Sequence, residues 1–584
     1  MNATWDLSFL YESFEDERFQ ADLKRWPEMI EEEKALLAAD MDDRTKLEKL
    51  FRHETAMNAL MDRLTSFAGL TLAADAANLT AQKYDDKLSR IGTEATMAYS
   101  AIKRYIGSLD NLEELIAGSE YLQTFAFALR EMKADAAHTL PVEIEPWMLQ
   151  MQLSGGNAFS SLRDRLDSTL MVELGEKTYP LSAIRAMVYD PDQAIRKNAY
   201  EAEIASYSKV ALPMSYCLNN IKREARTMAR ARGYESVLDM TLRQNRMDRE
   251  TLEAMLTAIR EYLPHFRRYL KAKAKSLGHE GGLPFYDLFA PMGDARRTYT
   301  IEEARALLLR EMGKFTPDMA DFMDNAFAQR WIDLYPRQGK SGGAFCAGVR
   351  QFDRSLILTN FDGSFSDIST LAHELGHAWH NRCMAGLPDE LTGTPMPLAE
   401  TASIFNETML AHQVLKNATE AERFTLLESS LMEVTQTCVD ILSRYLFETE
   451  VVETCADHTM TVEELCDAML RAQEASYGDG LDANVRHPFM WACKSHYYSS
   501  GLNFYNFPYA FGELFGKGVF ALYLKEGDAF VPKYNQLLRS CGSGTIADVA
   551  ASVGIDVRSI DFWRASLEVV RKDIDAFCAL CEKA

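Results

Sequence analysis

The sequence predicts a mainly α-helical protein. Among 584 residues there are only 17 prolines, and apolar residues recur at three- and four-residue steps instead of alternating. Hydrophobic residues make up 47% of the chain, enough for a sizeable core, and charged residues make up an ordinary 26%. A chain of this length forms one very large domain or two to three smaller ones.

The helical pattern continues along most of the chain. Four amphipathic stretches occupy its beginning, at residues 15–40, 46–70, 81–109 and 111–132. Residues 251–277 have the same periodicity, and Pro264 is expected to kink or divide that helix. A turn-rich segment follows at 278–297, and residues 418–475 are again helical almost throughout.

Composition and charge exclude several classes of protein. The net charge of −23 opposes binding to phosphate backbones, so we expect no nucleic-acid partner. No apolar run approaches the ~18 residues of a membrane span, and the first residues lack the features of a targeting signal. The ten cysteines form no small-domain framework, and Cys578 and Cys581 are expected to be reduced thiols on one helix. We therefore expect a cytoplasmic protein without a membrane partner.

The segment HELGH at residues 373–377 is the strongest functional signal. Two histidines four residues apart lie on one helical face, about 5–6 Å apart at Cβ. Both imidazoles can then reach one zinc ion at about 2.0–2.1 Å. Glu374, beside the first histidine, can act as a general base on a water that the metal activates.

A catalytic zinc needs a third protein ligand. Glu400 and Glu407 are two turns apart in MPLAETASIFNE at residues 396–407, a helix expected to begin near Pro397. We assign Glu400 as the third ligand and Glu407 as the acid that orients a ligand histidine. Gly376 would allow this second helix to approach closely. His380 is expected to contribute to packing or to donate a hydrogen bond near the site, and not to be a fourth ligand.

A small glycine-rich region precedes the zinc motif. Residues 342–349, GGAFCAGV, are followed by a short predicted strand at 356–361. The two segments form either a packing hairpin or an edge strand that pairs with a peptide backbone. Because they lead into the HELGH helix, we favour the edge strand, with Gly343, Ala344 and Phe345 binding the substrate.

The segments HELGHAWH and LAETASIFNE resemble the oligoendopeptidase F branch of the thimet oligopeptidase (neurolysin-like) zinc metallopeptidase family. The segments WDLSFLY at 5–11, FYDLFAP at 285–291 and GGAFC at 342–346 fit the same family, so the resemblance covers nearly the full length. It implies an elongated, two-lobed helical shell with a deep channel and a small β-sheet near the zinc site. We expect an N-terminal helical domain at 1–190 and a catalytic domain at 191–584.

The segment HYYSSGLNFYNFPYAF at 496–511 resembles the part of the family that stabilises the transition state. Compared with the family pattern, about three residues are inserted between its two halves. Phenol or imidazole donors aimed at a developing oxyanion contribute about 3–4 kcal/mol. We assign His496 and Tyr509 to this role, with Tyr505 beside them, and Tyr498 to substrate binding. The alternative is a buried aromatic cluster.

The sequence therefore predicts a zinc-dependent endopeptidase that acts on short, unstructured oligopeptides and binds one Zn²⁺ per chain. A zinc carboxypeptidase or dipeptidase remains the alternative, because Arg350, Arg354 or Arg486 could clamp a chain terminus. A peptide-binding module with a structural zinc is the alternative from another class. Such a site would close the coordination with a fourth side chain, and binding alone gives no reason for a base at position 374.

Other features of the sequence are less informative. The basic cluster at residues 222–232 is expected to be a solvated helix face. The cleavage preference, the physiological peptide and the oligomeric state are not determined by the sequence.

Overall fold

A computed structural model describes residues 3–141, 143–293 and 297–583 and confirms the mainly α fold. Residues 1–2 of the opening segment and 294–296 of the predicted turn-rich segment lie outside the described residues. The α-helices up to residue 190 are α1 (Glu17–Ala38), α2 (Asp43–Ala74), α3 (Leu79–Gly107), α4 (Leu112–Ala117), α5 (Glu120–Thr124), α6 (Ala126–Ala136), α7 (Glu145–Ser154), α8 (Gly156–Thr169) and α9 (Leu181–Ala186).

The remaining helices build the larger part of the molecule. They are α10 (Gln193–Tyr207), α11 (Ala211–Ala231), α12 (Val237–Gln244), α13 (Arg249–Ser276), α14 (Ile301–Met312), α15 (Pro317–Ala328), α16 (Phe365–Cys383), α17 (Met396–Ala399), α18 (Thr401–Leu415), α19 (Glu420–Thr435), α20 (Ile441–Thr454), α21 (Val462–Tyr477), α22 (Met490–Cys493), α23 (Phe507–Glu526), α24 (Val531–Ser540), α25 (Ile546–Ala551) and α26 (Ile560–Lys583). The strands are β1 (Met171–Leu174), β2 (Lys177–Pro180), β3 (Ile332–Asp333), β4 (Phe345–Val349) and β5 (Arg354–Leu358).

Most predicted helices are present, but two differ in continuity. The stretch at 111–132 forms three short helices, because Ser119 caps a new helix by accepting a hydrogen bond from the backbone N–H of Leu122. Pro264 lies inside α13 without dividing it. Residues 418–475 form α19, a π-helical turn at Gln436–Asp440, α20 and α21.

The hydrophobic interior consists of three clusters. The largest runs from Leu170 to Phe577 and includes both helices of the zinc motif region. Two smaller clusters are built mainly from α1–α6, and one of them also covers one face of β4 and β5. The large cluster begins before residue 190, so the division into domains at 1–190 and 191–584 stays a proposal.

The sheet beside the zinc motif has the strand order β3-β5-β4. Strand β5 pairs in parallel with β3 and antiparallel with β4, with Phe345 opposite Leu358. Strand β4 is an edge strand, paired only with β5 in the described parts of the chain. Successive side chains of β4 point to opposite faces. Gly348 faces α16, where an added Cβ would lie 2.6 Å from the amide nitrogen of Asn381.

Two other sequence expectations concern membranes and cysteines. Within the described residues, no helix combines the length and the apolar character that crossing a bilayer requires. All ten cysteines are free thiols, and Cys578 and Cys581 lie on α26.

Two glutamates lie buried against each other between the first two helices. Glu33 on α1 is 1% exposed, and Glu54 on α2 is 5% exposed. Burial, followed by the negative charge of the neighbouring Glu33, raises the pKa of Glu54 to about 9 from the ordinary value of 4.5. The folded protein therefore retains a proton that the unfolded chain releases near pH 4.5.

We expect the free energy of unfolding to fall as the pH rises between about 4.5 and 9, because in this range only the folded state binds the proton. Glu54→Gln keeps a neutral hydrogen-bonding group, so it should flatten this dependence and stabilise the protein at pH 9 by about 1–3 kcal/mol. Denaturant unfolding of the unmodified protein and of Glu54→Gln at pH 5.5, 7 and 9 measures the pH dependence and the stabilisation. Equal slopes for the two proteins would contradict the retention of a proton by Glu54 in the folded state.

Candidate active site and metal centre

Helix α16 presents the HELGH motif. It begins at Phe365, and the preceding Ser364 forms a capping box with Asp367. Leu371 and Leu375 are fully buried on one side, and the histidine face remains partly exposed. Burial of the apolar side therefore fixes which way His373 and His377 point.

The predicted helix from residue 396 is interrupted at the proposed third ligand. Glu400 has φ −89° and ψ 4°, so it ends α17 and occupies the N-cap position of α18. Its carboxylate accepts a hydrogen bond of 2.8 Å from the hydroxyl of Ser403. Because the helix is interrupted at Glu400, its side chain faces α16.

Three ligand-type atoms converge between α16 and Glu400. Nε2 of His373 lies 3.1 Å from Nε2 of His377, and Oε2 of Glu400 lies 3.3 Å and 3.4 Å from these nitrogens. Ligands at about 2.0–2.1 Å from a tetrahedral zinc lie about 3.3–3.4 Å from one another. The three residues therefore fit a zinc ion with one position left for water or substrate.

The electrostatics of this group favour positive charge. Burial alone would lower the pKa of His373, but hydrogen bonds to Glu400 and Glu407 outweigh it and raise that pKa to about 10. Burial likewise opposes ionisation of Glu400, yet hydrogen bonds from His373 and His377 hold its pKa well below the ordinary range. A cation between the carboxylates and the imidazoles would replace those protons.

Glu374 and Glu407 occupy different positions around the cluster. Glu407 accepts a hydrogen bond of 3.0 Å from Nδ1 of His373, the ring nitrogen that faces away from the cluster. Glu374 is 5% exposed, and burial raises its pKa. Its Oε2 atom has no hydrogen-bond partner among the described residues. His380 packs in the interior and contacts the backbone oxygen of Leu538 at 3.1 Å, away from the ligand atoms.

Gly376 determines how closely the two helices approach. A Cβ at this position would lie 2.5 Å from the backbone oxygen of Ala402 and 2.7 Å from Cα of Ser403. The structure confirms that this glycine permits close contact between α16 and α18. Without that contact Glu400 and Glu407 could not both reach His373.

Two further glycines bring α23 against the same region. A Cβ at Gly512 would lie 3.1 Å from Cβ of Glu400, and one at Gly516 would lie 2.7 Å from Cβ of Ile404. Sequence reasoning missed them, although their spacing of four residues on one helical face is visible in the sequence. They position the helix that carries Tyr509.

Three of the four site residues predicted from the segment at 496–511 lie together. The ring of His496 stacks on Tyr505 at 5.3 Å, and Tyr509 lies 5.1 Å from Tyr505 and 6.0 Å from His496. Burial lowers the pKa of His496 to about 4, helped by the charges of Arg444 and Lys494, so its imidazole is neutral at pH 7. Burial, with smaller contributions that include the charge of Glu400, raises the pKa of Tyr509 and keeps its hydroxyl protonated.

The loop that carries Tyr505 is held by a buried ion pair. Nζ of Lys222 lies 2.7 Å from Oε1 of Glu448, and both side chains are almost fully buried. Glu448 also accepts hydrogen bonds from the backbone N–H of Phe504 and the amide of Asn506, each at 2.8 Å. The expectation that residues 222–232 form a solvated face is therefore wrong at Lys222, because its charge compensates that of Glu448.

Two proposed substrate contacts have other neighbours. Tyr498 is 1% exposed, and Arg163 stacks over its ring at 5.3 Å, so its side chain has no free surface for a peptide. The ring of Phe345 lies 6.2 Å from that of Trp5 in the N-terminal core.

Gly343 precedes β4 with φ +75°, and its backbone oxygen accepts a hydrogen bond of 2.9 Å from the side-chain amide of Asn360. Ala344 lies between Gly343 and the first residue of β4.

A second group of metal-ligand types is buried elsewhere. Ligand-type atoms of Glu203, His487 and Cys493 lie within 4.8 Å of one another. Nε of Arg185 lies 3.4 Å from Oε1 of Glu203. This guanidinium already supplies the positive charge that a metal ion would bring.

The helical fold and the HExxH motif on α16, with Glu400 facing it, are typical of metallopeptidases. The sequence model of peptidase family M3 matches residues 186–569. Oligopeptidase PepF of Bacillus subtilis is 24% identical, over 98% of this chain and 86% of its own length.

Solved structures share the fold over nearly the whole chain. A crystal structure described as a peptidase of Chlamydophila abortus matches with a TM-score of 0.88 at 22% identity, covering 99% of this chain and 98% of that one. Oligoendopeptidase F of Enterococcus faecium matches with a TM-score of 0.72 at 17% identity, covering 97% and 99%. The chain belongs to peptidase family M3.

Gly376→Ala tests the close helix contact. In an unobstructed helix, alanine is more stable than glycine by about 1 kcal/mol. Here the new methyl group would meet backbone atoms of α18, so we expect destabilisation of about 2–4 kcal/mol and weaker metal binding. Gly69→Ala is the matched control, because a Cβ at Gly69 of α2 would meet nothing within 4 Å. Thermal unfolding should move in opposite directions for the two variants; equal shifts would refute the constraint.

Proposed function

We propose that this chain is a zinc-dependent endopeptidase that hydrolyses internal peptide bonds of short, unstructured oligopeptides. The observation that carries the proposal is the convergence of His373, His377 and Glu400 at tetrahedral spacing, with the buried carboxyl of Glu374 beside them. Membership of peptidase family M3 supports the same activity.

His373, His377 and Glu400 would hold one zinc ion per chain. When bound, zinc supplies a Lewis acid that polarises a carbonyl oxygen and lowers the pKa of water. Glu407 positions His373 by accepting a hydrogen bond from its Nδ1–H, which directs Nε2 towards the ligand cluster.

Glu374 acts as the general base. Its carboxylate takes a proton from the attacking water and then delivers that proton to the leaving amine. Burial raises the pKa of this carboxyl, which brings its proton affinity closer to that needed for both steps at neutral pH.

The hydroxyl of Tyr509 and the imidazole of His496 stabilise the oxyanion that forms on the scissile carbonyl, and Tyr505 supports them. The two tyrosines and the histidine form one contiguous cluster, and Gly512 holds its helix against Glu400. Donors that remain neutral and protonated need no rearrangement when the negative charge develops.

The substrate backbone extends along the free edge of β4. Gly343 and Ala344 lie where the strand begins, and the backbone groups of the edge are available for pairing. Phe345 contributes through its backbone, because its ring packs against Trp5. Tyr498 is not retained as a substrate contact.

The arginines that could clamp a chain terminus are engaged elsewhere. Arg350 lies 3.4 Å from Asp389, Arg354 stacks on Phe9 at 4.4 Å, and Arg486 is largely buried beside Gly478. These contacts favour an endopeptidase over a carboxypeptidase or dipeptidase. The free thiols further support our proposal of a reducing, cytoplasmic location.

The proposed function predicts cleavage that does not depend on free chain ends. A peptide of about ten residues and its acetylated, amidated form should be cut at the same internal bond with similar kcat/KM. Mass spectrometry of both digests, with and without a chelator, identifies the products. Cleavage of the free peptide alone, one or two residues from its end, would favour the exopeptidase alternative.

Glu374→Gln should retain the metal ligands yet lose at least ~10³-fold in kcat, because the amide cannot accept the proton of the attacking water. Metal content and turnover of a quenched peptide are measured together. Glu54→Gln makes the same chemical change at a buried glutamate of α2, a helix outside the hydrophobic cluster that contains α16 and α18, and should retain activity. Substantial turnover by a metal-loaded Glu374→Gln variant would remove the base from position 374.

Tyr509→Phe removes one hydroxyl and should lower kcat by about 10²–10³-fold with the metal retained, the usual cost of one lost oxyanion donor. Tyr523→Phe is the control, because Tyr523 lies on the same helix and its hydroxyl donates a hydrogen bond of 3.2 Å to the backbone oxygen of Lys314. An unchanged rate for Tyr509→Phe would return Tyr509 to a packing role.

A further inference from the structure

A recess of about 480 Å³ lies beside the aromatic cluster of the candidate active site. Tyr505, which stacks on His496, forms part of its wall. Pro508, the residue before Tyr509, forms another part, and Met396 at the start of α17 lines it as well. Ligand pockets commonly have volumes of about 300–1,000 Å³. The recess is therefore large enough for a side chain of the peptide, and the proposed reaction steps do not use it.

The recess is close to the proposed zinc ligands. Pro508 and Gly512 are four residues apart on α23, which separates them by about 6 Å along the helix. A Cβ at Gly512 would lie 3.1 Å from Cβ of Glu400. An extended peptide advances about 3.3 Å per residue, so a side chain in the recess would belong to one of the first about three residues beside the cleaved bond.

Two large apolar side chains in the wall of the recess are exposed. Leu502 is 44% exposed and Met396 is 37% exposed, whereas Phe504 and Pro508 of the same wall are buried. Covering exposed apolar surface with another apolar group is favourable by about 25 cal/mol for each Å² removed from water. The wall would therefore be stabilised by an apolar occupant.

The polar groups around the recess already have partners. The guanidinium of Arg246 bonds both carboxylate oxygens of Glu131, at 2.6 Å and 2.7 Å. The side-chain amide of Asn245 donates to the backbone oxygen of Thr241, whose hydroxyl donates to the backbone oxygen of Asn503. Among the described residues, no other Lys, Arg, Asp or Glu lines the recess. A charged side chain of a peptide would thus exchange water for a wall whose one charge is already compensated.

The loop that carries Leu502 is held on both sides of this residue. The hydroxyl of Ser500 donates a hydrogen bond of 2.6 Å to Oδ1 of Asn157 on α8. The side-chain oxygen of Asn503 accepts a hydrogen bond of 3.0 Å from Nζ of the buried Lys222. The loop is therefore ordered before a peptide binds, which reduces the entropy cost of binding.

We propose that this recess is a subsite for an apolar side chain of the peptide substrate, and that Leu502 and Met396 determine the preference. The inference rests on the proposed endopeptidase function, because the recess shares Tyr505 with the site where the peptide is cut. It assigns a role in specificity to two residues that take no part in the bond cleavage itself.

The test uses the zinc-loaded full-length protein and one quenched peptide that it cleaves. At each of the three positions on either side of the cleaved bond, the residue is changed to leucine, asparagine or lysine. Asparagine has nearly the shape of leucine but carries a polar amide. We expect one position at which leucine raises kcat/KM at least tenfold over asparagine, and at which lysine is no better than asparagine.

Three variants identify the residues responsible. Leu502→Ser and Met396→Ser should each lower the leucine-to-asparagine ratio at that position at least threefold, with the ratios at the other five positions within twofold of their original values. Leu502→Glu should make lysine the preferred residue there, because it places an uncompensated carboxylate in the wall. Leu524→Ser is the matched control and should leave every ratio unchanged, since Leu524 is 50% exposed on α23 and lies outside the recess.

Each outcome has a separate meaning. A ratio near one at every position, or a ratio that either serine variant leaves unaltered, would overturn the subsite. An equal loss at all six positions would overturn it too, because the loop would then act by positioning Tyr505 and not by contacting one side chain. If the zinc-loaded protein cleaves no peptide, the proposed function itself fails, whereas cleavage without a leucine preference refutes only the subsite.

Discussion

The candidate site depends on the contact between α16 and α18 at Gly376. One missing side chain allows the backbone of Ala402 and Ser403 to approach α16 so closely that a Cβ could not be accommodated. The short distance between the two helices allows the carboxylates of Glu400 and Glu407 to contact His373. Because interiors are close-packed, a small increase in the distance between the helices would be transmitted directly to the ligand atoms.

The contact brings together elements that are far apart in the chain. The edge strand β4, the HELGH helix, the break at Glu400 and the loop before α23 meet within one region. Gly512 and Gly516 repeat, on the other side of α18, what Gly376 does against α16. Small residues at both interfaces therefore hold three helices at short distances, and the chemically important side chains project from their edges.

Charge is distributed in an ordered way around this framework. At the loop of Tyr505, the negative charge of buried Glu448 is balanced by Lys222 and by backbone donors. In the ligand cluster, three carboxylates face two imidazoles, an arrangement that favours a bound cation. Balanced charge thus supports the fold at Glu448, whereas the excess of carboxylates in the ligand cluster favours a bound cation.

The sequence by itself determined the helical class, the approximate bounds of the long helices and the family. These features follow from local periodicity and from short motifs, such as HELGH, whose spacing on one helical face is independent of the rest of the fold. The strand at the edge of the sheet was also predictable, because glycine-rich and apolar segments interrupt the helical pattern before α16.

Only the tertiary structure decided the contacts between distant segments. Lys222 is buried against Glu448, and Tyr498 is enclosed beneath Arg163; in each pair the partners are more than a hundred residues apart in the chain. The interruption of the helix at Glu400 depends on the helices that pack against it. The aromatic segment at 496–511 showed which residue types were present, but not which rings would meet. Local patterns specify helix faces, whereas burial and charge compensation depend on long-range packing that no short stretch of sequence encodes.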